Sequence, residues 1–135
     1  MSLVQYDMWW SPTWPEVLFT GKGQARATGR ALPDRLVLAD GQLYAIEIKT
    51  WCAKSKHTLR KRLHQYYAME RMGRYGAVCF YLVLWRWRAT EEWRLYPVDT
   101  LRVENGGVVF TREDGIEVHE NVPDWLGALR RKEAA

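Results

Sequence analysis

The chain of 135 residues, with 47% hydrophobic, 27% charged and 13% aromatic residues, has the size of one domain and too much apolar matter for intrinsic disorder. No apolar run reaches membrane-spanning length, the longest (77–84) being strand-sized, and the first twenty residues lack the basic start and apolar stretch of a signal peptide, so a cytoplasmic protein without membrane contact is expected. The net charge of +4 is unevenly spread: between Trp51 and Gly76 seven basic residues (Lys54, Lys56, Arg60, Lys61, Arg62, Arg71, Arg74) face the single acid Glu70, which leaves −2 for the rest and suggests a polyanionic partner.

In chain order, Trp9, Trp10 and Trp14 precede Pro15-Glu16, which predicts the first turn of a short helix running to about Phe19. Residues 21–29 predict a basic, glycine-bearing loop with Lys22 and Arg26. Two strands follow, 35–39 and 43–50, around Asp40-Gly41, the dipeptide of a tight hairpin. Alternation places Tyr44, Ile46 and Ile48 on one face and Glu47 with Lys49 on the other. The spacing of Leu59, Leu63 and Tyr66 predicts a helix over 56–72, ended by Gly73 or Gly76, with His64 and Gln65 on its polar side and without a catalytic role. A buried strand over 77–84 runs on to Trp87, and 92–96 returns beside it, with Trp85, Trp87 and Trp93 on packed or dimer-forming surface. Asn105-Gly106 and Asp114-Gly115 mark turns, with a hairpin over 108–118, and Pro123-Asp124 opens an amphipathic helix. The expected architecture is α/β, a mixed β-sheet flanked by helices, in a single domain 1–135 with a core at 29–101 and a C-terminal hairpin and helix at 102–135.

The segment that carries chemistry is Pro33-Asp34, twelve intervening residues, and Glu47-Ile48-Lys49. The hairpin folds the second strand back, so both carboxylates reach one point at its open end. Two acids that close repel unless a cation lies between them. Oxygen ligands without His or Cys favour Mg²⁺, with Mn²⁺ as substitute. The scattered His57, His64 and His119 and the pair Cys52 and Cys79 make neither a zinc pattern nor a disulfide framework, and Cys79 reads as a core residue. Lys49, two residues on and on the same face, places an ammonium where it can orient water or stabilise charge on an attacked phosphate. The bland alternative is a turn aspartate and a surface ion pair.

Pro33-Asp34 with Glu47-x-Lys49 resembles the PD-(D/E)xK nuclease superfamily. The resemblance implies a restriction-endonuclease-like nuclease core, Asp34 and Glu47 as metal ligands with the backbone carbonyl of Ile48, and Lys49 as catalytic lysine. The order of basic helix, strand 77–84 and the Glu92-Trp-Arg-Leu-Tyr-Pro-Val98 strand is similar to archaeal-type Holliday junction resolvases, over roughly 29–101. Those enzymes carry a further glutamate on an N-terminal helix. Here only Asp7 and Glu16 precede Asp34, and Glu16 is the better placed, although closer to Asp34 than that pattern suggests. Gly29-x-x-x-Pro33-Asp34 also resembles the VRR-NUC nucleases.

The expectation is therefore a Mg²⁺-dependent, structure-selective DNA endonuclease that resolves four-way junctions as a homodimer. Lys54, Lys56, Arg60 and Lys61, with Lys22 and Arg26, would neutralise DNA phosphates. The alternatives are a VRR-NUC-like or restriction-type nuclease on other DNA structures, and a DNA-binding module on the same fold without chemistry.

Overall fold

The structure, a computed structural model, describes residues 33–119 and 124–129 in full, and of the earlier chain the backbone of three strands, β1 (Met8–Pro12), β2 (Val17–Phe19) and β3 (Ala25–Ala27). After them come β4 (Arg35–Ala39) and β5 (Gln42–Trp51), joined by Asp40 and Gly41 with φ of 52° and 78°. Positive φ at both central residues gives the turn the right-handed twist of the strands it joins. Then follow β6 (Lys56–Leu59), helix α1 (Leu63–Arg74), β7 (Val78–Trp87), β8 (Thr90–Pro97), a 3-10 turn (Val98–Thr100), β9 (Arg102–Glu104), β10 (Gly107–Thr111), β11 (Ile116–Val118) and a helical segment over 124–129.

The principal sheet has six strands in the order β1-β4-β5-β7-β8-β11. Its centre, β5 beside β7, is parallel, and every other pairing is antiparallel, so the fold is mixed α/β. Parallel neighbours require a crossover, and α1 supplies it. Strands covered on both faces read as continuous apolar runs, which is why β7 carries Val-Cys-Phe-Tyr-Leu-Val-Leu-Trp. A second sheet, β6-β10-β9, lies over one face of the first.

One face packs Val37, Tyr44, Ile46, Phe80, Leu82 and Leu95 under the 124–129 helix, where Trp125 meets Phe80 at 5.0 Å between ring centroids. The opposite face packs Tyr81, Val83, Trp85 and Tyr96 under Met69 of α1 and Phe110 of β10. Phe110 is the hub: Trp51, Tyr81 and Tyr96 all present edges to it at centroid distances of 4.7, 5.1 and 5.2 Å. Such pairs add about 0.5–1.5 kcal/mol each beyond their area. Gly107 lets β10 approach β6, since a Cβ there would stand 2.6 Å from Thr58 Cγ2.

Several expected elements are corrected. Val17–Phe19 is a strand paired with Ala25–Ala27, where a helix end and a loop were expected; the ladder along two short apolar stretches outweighs the helix-starting signal, whose residues Pro15 and Glu16 lie outside the described residues. Trp9 and Trp10 belong to edge strand β1, paired with β4, and Trp14 lies outside the described residues. The 56–72 helix starts only at Leu63: Lys56–Leu59 is a strand because β10 offers it an edge and Trp51 stacks on His57 at 4.2 Å. The 108–118 segment is no hairpin, for β10 pairs with β9 and β6 while β11 pairs with β8. Trp93 lies opposite Leu84, on the other face from Trp85. Tyr81 and Trp85 are buried within the chain, while Trp93 is partly and Trp87 more fully exposed, so much of the aromatic surface expected to drive dimerisation is consumed internally.

Candidate active site

Register decides where the acids meet. Asp40-Gly41 sets Ala39 opposite Gln42, and four rungs on Arg35 stands opposite Ile46. The next step brings Asp34, at the mouth of the hairpin, level with Glu47. The contacts are reciprocal: the Asp34 backbone N–H donates to Glu47 Oε1 at 3.1 Å, and the Ile48 N–H donates to Asp34 Oδ2 at 2.8 Å. Each carboxylate thus commits one oxygen to backbone N–H, which locks both side chains at the open end of the hairpin.

Glu47 is 2% exposed. Burial, then the charge of Asp34, pushes its carboxyl up to about 7, while Lys49 pulls in the opposite direction. A buried acid held that high beside a second acid is one that a cation would ionise. Lys49 Nζ lies 3.3 Å from Glu47 Oε2 and donates to Gln65 Oε1, also at 3.3 Å. The ammonium is therefore held between the sheet and α1, at 16% side-chain exposure.

Gln65 corrects the sequence expectation. It is buried, while its neighbour His64 is exposed. Its role was legible in one respect: Gln65, Ala68, Met69 and Met72 fall at i, i+3, i+4 and i+7, the inner stripe of a helix. Beginning the helix at Lys56 and counting Leu59 in the stripe obscured this.

Lys54, Lys56, Arg60 and Lys61 are all exposed, but they lie on β6 and its flanking turns rather than on a helix. Arg62, with φ of 58°, turns the chain into α1 three residues before Gln65. The basic cluster thus borders the segment that touches Lys49. Glu16 and Lys22 lie outside the described residues, and for Arg26 only the backbone of β3 is described. At Ile48 the group engaged with Asp34 is the amide N–H.

Among the described residues no group of three His, Cys, Asp or Glu side chains converges as a closed metal cage. Two carboxylates still suit a hard divalent ion of the Mg²⁺ type, which is commonly held by one or two acids with water and phosphate oxygens completing its shell. No helix among the described residues is long and apolar enough to cross a membrane.

No protein-family model and no curated protein sequence matches the chain. Among solved structures it is similar to Archaeoglobus fulgidus Hjc, a Holliday junction resolvase from an archaeal hyperthermophile, at 21% identity and a TM-score of 0.49, over 68% of this chain and 74% of that one.

Proposed function

We propose that the chain is a metal-dependent DNA endonuclease, with Asp34 and Glu47 as ligands of Mg²⁺ or Mn²⁺ and Lys49 as the catalytic cation. One observation carries the reading: Asp34, just before β4, and Glu47 and Lys49 of β5 form one bonded cluster at the mouth of the hairpin. Surface ion pairs contribute little to stability, and a buried pair seldom repays its desolvation, so this cluster is poorly accounted for as a structural device.

In this reading a bound divalent ion would supply Lewis-acid activation of the phosphodiester and of the attacking water. Glu47 and Asp34 would hold it, with the Ile48 carbonyl as a third protein oxygen. Lys49, restrained by Gln65, faces the negative charge that grows on the phosphate. Lys54, Lys56, Arg60 and Lys61 neutralise the flanking backbone without reading sequence. The specific substrate proposed is a four-way junction. Its resolution needs two nicks, which two copies of this one-site chain would provide.

A second reading, a DNA-binding module without chemistry, is favoured by the absence of a third acid at the site among the described residues. Cleavage of a four-way junction and of a linear duplex with the same arms, with and without Mg²⁺, separates these readings. Mg²⁺-dependent cleavage of the junction in preference to duplex, abolished in Asp34→Asn and slowed about a hundredfold in Lys49→Ala, is the expected result. Equal cutting of both DNAs favours a nuclease of other specificity, and binding without cutting favours the module.

A further inference from the structure

The hydroxyl of Tyr81 has no hydrogen-bond partner among the described residues, although Tyr81 is fully buried. An unpaired buried hydroxyl costs about 1–3 kcal/mol. Nothing in the packing demands it, because the ring alone makes the edge contact with Phe110 and phenylalanine would serve as well.

Tyr96, in the same aromatic cluster, shows what a structural hydroxyl looks like. It accepts from Trp85 Nε1 at 3.0 Å and donates to the Thr111 carbonyl at 2.7 Å. Both tyrosines are deep in the protein, and only one is satisfied.

The neighbour of Tyr81 in the sheet is an acid. In the parallel ladder Tyr81 is the register partner of Glu47, one strand over and on the same face. The titratable groups acting on it are Glu47 and, from α1, Tyr66. A phenol ordinarily keeps its proton through neutral pH, so the Tyr81 hydroxyl is available there as a donor.

We propose that Tyr81 is a positioning residue of the metal site, its hydroxyl donating to the Glu47 carboxylate when that carboxylate holds the cation. This inference rests on the reading of Asp34 and Glu47 as metal ligands. A carboxylate bound to a cation is a charged acceptor, and a hydrogen bond to it is roughly twice as strong as a neutral one. Outer partners of this kind orient a ligand, and their loss typically lowers metal affinity about 10–100-fold.

Tyr81→Phe removes one oxygen and keeps the ring. Calorimetric titration of Mn²⁺ into the whole chain should show affinity at least about tenfold weaker than wild type. The metal-free thermal midpoint should be unchanged or higher, and saturating Mn²⁺ should restore cleavage. Unchanged Mn²⁺ affinity would overturn the inference while leaving the nuclease reading intact. A lowered metal-free midpoint would overturn it too, by showing that the hydroxyl has a structural partner. Failure of the wild-type chain to bind Mn²⁺ would remove the metal site itself, and the inference with it.

Discussion

The two faces of β5 differ by one residue of register and by everything in their chemistry. Tyr44 and Ile46 point into a core closed by Trp125 and Leu126, with Ile48 packed at its border. Ala45, Glu47 and Lys49 point the other way, towards α1 and the small sheet, where an acid 2% exposed and an ammonium share the space with Gln65. A strand can serve both faces because its side chains alternate, so the apolar face anchors the charged one. Desolvation strengthens each charge contact at the site and raises the cost of leaving any group unpaired. Both faces carry a core, but the polar cluster lies on the Glu47 face.

The sharpest way to break this comparison is Glu47→Gln. Cleavage with Mg²⁺ should fall below detection, while the metal-free protein at pH 8 melts at the same or a higher temperature because repulsion with Asp34 is gone. Full cleavage by this variant would remove Glu47 from the active site.

Ile46→Ala, one residue away, should do the reverse. It should cost about 2–5 kcal/mol of unfolding free energy in urea, as cavities in a closed core do. At temperatures where the variant stays folded, its cleavage rate should remain near wild type. A destabilisation well under about 1 kcal/mol would mean that this face is not the anchor.

The pH dependence sharpens the contrast further. Glu47 is raised from 4.5 to about 7, so the folded state holds its proton more tightly than the unfolded state does. Its contribution is complete below pH 4.5 and is lost as pH rises through 7. By linkage the metal-free wild type should lose up to about 3 kcal/mol relative to Glu47→Gln over that window. Saturating Mg²⁺ should cancel or invert the slope, because the ion binds the ionised acid. Parallel stability profiles for the two proteins would refute a strained Glu47.

The smallest effect per residue is expected at the surface. Alanine at Lys54, Lys56, Arg60 and Lys61 together should leave the melting temperature almost unchanged and weaken binding to all DNA sequences alike. The slope of log affinity against log salt should fall by up to about 0.9 for each phosphate that is no longer neutralised. An unaltered slope would place DNA on another surface.

Sequence alone determined the parts whose signals are local. Asp40-Gly41 carries the positive-φ turn in its own residue types, and the period of two along β5 then fixes which side chains share a face and that Asp34 comes level with Glu47. The apolar run of β7 likewise declares a strand buried on both faces. Tertiary structure decided whatever depended on a distant partner. Lys56–Leu59 continues a helical spacing, yet it is a strand because β10, some fifty residues later, supplies the edge it pairs with. Gln65 becomes part of the site only because α1 crosses the sheet above Lys49. That Tyr81 is the register partner of Glu47, with its hydroxyl unpaired among the described residues, likewise follows from the parallel pairing and from no local pattern. Short-range chemistry is written in neighbouring residues, whereas satisfaction of a buried polar group depends on what the rest of the chain places next to it.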